Sequence, residues 1–223
     1  MTTPRPIAVL GAGSWGTALA ILLARNGHAV RLWGNEPPVM AELARTRRNA
    51  RYLPDAVFPD GLAIHDDLDA ALADQADVLV VVPSHAFRSV LTTLAPRLAP
   101  GTPLAWATKG LEMASGKLLH QVADEVLPAN IPTAVISGPT FAREVAAGLP
   151  TAATVAGSDA AVAQHFAALL RGAAFRAYTS TDRIGLELGG ALKNVLAIAA
   201  GISDGLGFGA NSRAALITRG LAE

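Results

Sequence analysis

Short apolar runs alternate with stretches of helical period along most of this 223-residue chain. Residues 7–10 read as a strand and 14–26 as a helix that stops at Gly27. A second strand at 29–33 leads to a helix at about 38–47. Residues 78–82 are five consecutive apolar positions, the mark of a strand buried on both faces. Pro83-Ser84 ends that run, with Ser84 suited to cap the next helix. Further strands are expected at 104–107, 134–137, 153–156 and 175–178, with helices at about 115–126, 141–147 and 160–170. This alternation predicts an α/β fold, a Rossmann-type doubly wound parallel sheet with crossover helices.

After Thr181 the pattern changes. Residues 183–203 and 211–223 carry no strand signal, so residues 1–181 are expected to form the sheet domain and 182–223 the beginning of an all-helical second domain. An amphipathic stretch at 214–221 runs to the last residues, and two helices cannot build a core of any size, so we expect a piece of a longer protein.

Composition narrows the classes. Lys plus Arg equals Asp plus Glu at 18 each, so no single-sign field draws nucleic acid or an anionic membrane. There is no cysteine, hence no disulfide framework and no thiolate metal site, and no metal-ligand cluster is visible. The opening MTTPRPIAVL does not read as a signal peptide. The longest apolar stretch, 195–202, is short for a membrane span and follows Lys193. A soluble, cytoplasmic chain without membrane insertion is expected.

Gly11, Gly13 and Gly16 form G-x-G-x-x-G between the first strand and the first helix. Gly11 permits the turn, Gly13 lets backbone approach a pyrophosphate, and Gly16 allows close helix–strand packing. The helix from Ser14 directs free N–H groups at that point. Trp15 reads either as a wall for the cofactor or as a ring packed on a neighbouring loop. The second strand ends in Gly34-Asn35-Glu36, followed by Arg45, Arg47, Arg48 and Arg51. Those arginines could reach a 2′-phosphate or form a solvated face, which leaves NAD and NADP both open.

Other strand ends carry chemistry. His85, after VVVPS, could act in acid–base work, although a surface or capping histidine is the plainer reading. Lys109 in WATKGLE lies just beyond a strand and can reach the central crevice. In ISGPTFARE, Gly138 and Pro139 shape a loop, and Thr140 offers a hydroxyl at a helix start, where it could also cap. Lys193 and Asn194 interrupt an apolar helix. A lone ammonium there is paired, snorkelling or lining a cavity, and in a partly dry cleft it becomes a candidate general acid/base. Gly189-Gly190, one turn earlier, leaves room for a ligand or another backbone.

The stretches GAGSWGTALA, VVVPSH, WATKGLE, ISGPTFA, GGALKNV and GFGANSRAALITRGLAE span almost the whole chain. In order and spacing they resemble the bacterial-type NAD(P)-dependent glycerol-3-phosphate dehydrogenases. The resemblance implies hydride transfer between NAD(P)H and C2 of dihydroxyacetone phosphate, giving sn-glycerol 3-phosphate for glycerophospholipid synthesis. It implies that Ser14 and Trp15 touch the pyrophosphate region, that Asn35 stands at the adenosine end, and that Lys109 and Ala142 also lie against the cofactor. Lys109, Gly138, Thr140 and Lys193 would hold substrate, with Lys193 the catalytic acid/base, no metal, and a homodimer as the assembly. This sequence departs from the family at Asn35, where a basic or ring-bearing residue is frequent. Members also run on past residue 223, with an aspartate that pairs with the lysine and an Arg-Asn segment that grips phosphate and cofactor. Two other readings stand beside it: a dehydrogenase of similar architecture for a hydroxyacid or sugar acid, and a non-catalytic dinucleotide-binding module.

Overall fold

The computed structural model describes residues 5–222. The chain enters through β1 (Ile7–Leu10), α1 (Ser14–Arg25), β2 (Val30–Trp33) and α2 (Pro37–Thr46). A small antiparallel pair, β3 (Arg48–Asn49) and β4 (Leu53–Val57), precedes β5 (Leu62–His65) and α3 (Leu68–Leu72). Next come β6 (Asp77–Val80), α4 (Ser84–Leu94), β7 (Leu104–Trp106), α5 (Leu119–Val126) and β8 (Thr133–Ser137). They are followed by α6 (Ala142–Ala147), β9 (Thr151–Gly157), α7 (Ala160–Leu170) and β10 (Phe175–Ser180). Two helices, α8 (Arg183–Gly205) and α9 (Gly209–Ala222), complete the described chain.

Eight strands form one sheet in the order β10-β9-β8-β7-β6-β1-β2-β5. Strands β1 and β6 are buried along their whole length, which explains why β1 is apolar throughout and β6 is apolar after Asp77, whose buried carboxylate meets His165 Nε2 at 2.6 Å. Period two divides β1 between two cores: Ile7 and Val9 pack with Leu19 of α1 and Phe166 of α7, while Ala8 and Leu10 pack with Phe87 of α4 and Val122 of α5. From β1 the chain steps outward to β2 and β5, then returns to β6 on the other side of β1. The strand order therefore reverses between β1 and β6, where such sheets open a crevice beyond their carboxyl ends.

Several expectations are corrected. The sheet is mixed: β9 runs antiparallel to β8, with Ser137 opposite Thr154. Helix α6 has only 6 residues, too short to carry the chain back along the sheet as a parallel crossover requires, so β9 starts from the edge where β8 ended. Helix α5 begins at Leu119 rather than near Ser115. Ser115 instead donates to Glu112 and accepts from the Lys117 N–H, and Gly116 at φ +70 turns the chain. Pro83 occupies the cap of α4, with Ser84 already inside the helix. Phe141 occupies the cap of α6, so Thr140 does not cap it. Helix α8 runs unbroken for 23 residues, long and apolar enough by length and composition to cross a membrane, unlike the shorter apolar stretch read from sequence.

Candidate functional site

Two of the three turn glycines are fixed by packing. Gly11 has φ +120, and a Cβ there would strike the Val81 carbonyl oxygen at 2.3 Å. A Cβ on Gly16 would lie 1.9 Å from the Gly11 carbonyl oxygen. Gly13 differs, since a Cβ there would meet nothing within 4 Å. It lines a cleft of about 370 Å³ at the strand-order reversal, and it stands at the N-cap of α1 without a side-chain cap. The first-turn N–H groups of α1 and the positive end of its dipole thus sit beside open space, which suits an anionic group. Ser14 and Trp15 form the start of α1, both half-buried. The turn is braced by buried Asn49, whose amide donates to the Ala12 carbonyl at 3.0 Å and to Thr17 Oγ1 at 2.9 Å.

Asn35, Glu36, Arg51 and Tyr52 line the far end of the same cleft. The other three arginines are disposed differently. Arg45 pairs with Glu42 at 2.8 Å, and Arg47 donates to the Pro59 and Leu62 carbonyls at 2.6 Å each. Arg48 is exposed on β3 and does not line the cleft. His85 lines the cleft, is exposed, and makes no side-chain hydrogen bond among the described residues, so nothing orients it for acid–base work.

A second group gathers at the ends of β7 and β8. Lys109 Nζ donates to the Gly138 carbonyl at 3.0 Å and stands 6.0 Å from the centre of the Trp15 ring. Both readings of Trp15 therefore hold in part: the ring packs against the core, and its face is turned to a cation at the crevice. The indole N–H of Trp15 is buried without an acceptor among the described residues. Gly138 is required by close approach, because a Cβ would sit 2.9 Å from Ala152 O and Ala153 Cα on β9. The Thr140 hydroxyl bonds back to the Gly138 carbonyl at 3.4 Å, and Ala142, the first residue of α6, packs on the core near α1.

Helix α8 lies against Lys109, since a Cβ on Gly190 would stand 4.0 Å from Lys109 Cγ, and Lys193 follows one turn later. Burial, then the positive charge of Lys193 beside it, push the Lys109 ammonium down to about 8. The sequence contains three lysines, Lys109, Lys117 and Lys193, and two of them meet here. Gly190 lets the helix approach, since a Cβ would lie 2.7 Å from Ser137 Oγ, whereas Gly189 faces open space. Asn194 is exposed.

Sequence reasoning missed the residues behind these lysines. The buried Glu187 carboxylate accepts from Trp106 Nε1 at 3.1 Å, from the His120 backbone N–H at 3.0 Å and from His120 Nδ1 at 2.6 Å. Its signal was available, as an acid two turns before Lys193 in the apolar stretch that holds both. Glu112, three residues past Lys109, is held by Arg88 at 2.6 Å, and that guanidinium together with the Ser115 hydroxyl keeps its carboxyl down at about 2. The pair straps the loop after Lys109 to α4.

A glycine turn at the reversal point of a doubly wound sheet, with two lysines at its carboxyl edge, defines a Rossmann-type dehydrogenase architecture. Comparison with known proteins carries this further. The family described as NAD-dependent glycerol-3-phosphate dehydrogenase N-terminus matches residues 6–163, and its C-terminus counterpart matches residues 182–223. The chain belongs to the NAD-dependent glycerol-3-phosphate dehydrogenase family. It is 63% identical over 218 residues to glycerol-3-phosphate dehydrogenase [NAD(P)+] of Thioalkalivibrio sulfidiphilus, covering 98% of this chain and 66% of that one. It is 60% identical to the protein of the same description from Edwardsiella ictaluri, covering 100% and 67%. The crystal structure of glycerol-3-phosphate dehydrogenase from Coxiella burnetii superposes with a TM-score of 0.92 at 51% identity, covering 98% and 66%. The chain thus spans about two thirds of the length of these relatives.

Proposed function

We propose that the full-length protein is an NAD(P)-dependent glycerol-3-phosphate dehydrogenase, reducing dihydroxyacetone phosphate at C2 to sn-glycerol 3-phosphate for glycerophospholipid synthesis. The observation that carries this is the meeting of Lys193 with Lys109 at the carboxyl edge, next to a glycine turn whose one unobstructed glycine lines the cleft. The open side of Gly13 and the uncapped start of α1 fit a dinucleotide pyrophosphate. Gly11, Gly13, Ser14, Trp15, Gly16, Asn35, Lys109 and Ala142 would hold NAD or NADP, which when bound supplies the hydride. Lys109, Gly138, Thr140 and Lys193 would hold the substrate.

The protein's own part is charge and proton placement. Reduction of a ketone builds negative charge on its oxygen, and the Lys193 ammonium donates a proton to that atom while Lys109 adds positive charge nearby. In the reverse direction neutral Lys193 takes the hydroxyl proton. The separate matches of 6–163 and 182–223 support a division near residue 181 into a dinucleotide-binding part and a substrate part. A cytoplasmic homodimer without membrane insertion belongs to the same proposal.

The test measures NADH and NADPH oxidation with dihydroxyacetone phosphate, on this chain and on one extended to the relatives' length. Turnover is expected in the extended chain, and Lys193→Ala should lower its kcat roughly 10²- to 10⁴-fold with cofactor affinity retained. An extended chain that binds dinucleotide but ignores the phosphorylated ketone would sink the assignment.

A further inference from the structure

Helix α8 holds Lys193 over the sheet while burying almost no apolar side chain. Its buried residues are Glu187, Gly190 and Ser203. Glu187 is only 5% exposed, and a carboxylate withdrawn so far from water is costly unless donors surround it. Three do, from two elements: the Trp106 indole on β7, and the backbone N–H and ring Nδ1 of His120 on α5. The ring contact requires the proton on Nδ1. A looser tie, Arg183 to the exposed Asp124 at 3.7 Å, links the same two helices at the surface.

Residues 187, 190 and 193 are spaced i, i+3, i+6, one ridge of a helix. The first is the gripped carboxylate. The second is the glycine that brings α8 against Ser137 at the end of β8. The third is Lys193. A helix is stiff over two turns, so fixing the first two points fixes the third, about 9 Å further along. Apolar packing alone would leave the rotation of α8 loosely specified, whereas a carboxylate with three directional bonds has one good setting.

We propose that Glu187 is a positioning residue for Lys193: its carboxylate, gripped by Trp106 and His120, sets the height and rotation of α8 that bring Lys193 to Lys109. This rests on the reading of Lys193 as the acid/base.

The experiment uses the full-length protein and the variants Glu187→Ala, Glu187→Gln, Trp106→Phe and Lys193→Ala. Three quantities are read: cofactor Kd, kcat and KM for ketone reduction, and the titration of Lys109 by NMR of ¹³C-methylated lysines, assigned with Lys109→Ala. Lys193→Ala removes the neighbouring charge and should raise the Lys109 midpoint. Glu187→Ala should move that midpoint toward the Lys193→Ala value and lower kcat roughly 10- to 100-fold, with cofactor Kd within about twofold. Glu187→Gln keeps an acceptor oxygen for Trp106 and should recover most of both. Should Glu187→Ala fail to fold, Trp106→Phe, which deletes one donor, is expected to shift the midpoint and kcat in the same directions, by about threefold in kcat.

A folded Glu187→Ala with native midpoint and kcat overturns the proposal, as does a loss of kcat matched by loss of cofactor binding. A midpoint that ignores Lys193→Ala overturns it too, since the two lysines would not then be neighbours. If Lys193→Ala turns over the ketone normally, the acid/base reading has failed instead, and the Lys109 midpoint still reports whether Glu187 sets α8.

Discussion

In the sheet region, Trp106 and Phe166 are at most 2% exposed and sit in two continuous cores, one on each face. On α8, Val195, Ile198 and Ile202 are 58 to 65% exposed, and α9 has no buried residue. One region is held by apolar volume, the other by a buried carboxylate, a glycine contact, the half-buried Leu186 and the bonds of Arg183 to Thr133 and Asp124. The first arrangement gives stability. The second gives a defined geometry, and it is the one that carries Lys193. The fully buried groups that fix α8 on the sheet are therefore few and not apolar side chains, with Leu186 the half-buried apolar contact beside them.

Stability measurements should separate the two regions most widely. Phe166→Ala removes a large buried ring and is expected to cost about 3–5 kcal/mol in denaturant unfolding. Ile198→Ala, in the 223-residue chain, should change stability by no more than about 0.5 kcal/mol. A comparable loss at both positions would mean that the outer face of α8 is covered in solution.

The glycine turn offers a finer contrast inside the sheet region. Gly16→Ala forces a methyl against the Gly11 carbonyl in a buried helix and should destabilise by about 1–3 kcal/mol. Gly13→Ala meets nothing inside the protein, so unfolding should move by about 1 kcal/mol or less. Its effect should appear in dinucleotide affinity, weakened about tenfold or more because the methyl fills the approach to the pyrophosphate. Equal damage to stability from both variants would remove Gly13 from the binding argument.

The same division shows in what the sequence revealed. Strands β1 and β6, helix α7 and the glycine turn were legible because each depends on a local rule: an apolar run, a helical period, a turn that only glycine makes. Lys109 and Lys193 were legible as cations in places where cations are unusual. The region 48–72 was not, because its strands are short and two-sided and are placed by Arg47 in the left-handed region and by its bonds to Pro59 and Leu62. The reversal of β9 was hidden as well, since it follows from the length of α6 rather than from any strand residue. Glu187 and Asn49 act through partners 67 and 32 residues away, and pairings at that separation have no local pattern to read.

Lys109 gives the pH dependence. With its midpoint near 8, the ammonium is charged at pH 7 and mostly neutral by pH 9. Its attraction for an anionic substrate is present below the midpoint and fades above it. KM for the phosphorylated ketone in the full-length enzyme should therefore rise about tenfold from pH 7 to 9, and Lys109→Arg should flatten that rise. A flat native profile would show that Lys109 does not face the substrate.

The smallest effect expected is at the adenosine end, where Asn35 withholds the carboxylate that would favour a free ribose hydroxyl and Glu36 supplies one nearby. Of the four arginines that follow, Arg51 alone lines the cleft, its guanidinium 5.2 Å from the Tyr52 ring centre and in no ion pair among the described residues. A 2′-phosphate in the cleft would be the natural partner for that charge, while NADH offers it nothing. Because the site is exposed, the contact is worth about 1 kcal/mol, so Arg51→Ala should weaken NADPH roughly fivefold and leave NADH within about twofold. Titration of both dinucleotides by protein fluorescence reads the two affinities side by side. Parallel loss of both would assign Arg51 to the shape of the loop after β3, and a gain in NADPH affinity would mean that Glu36, not Arg51, sets the preference.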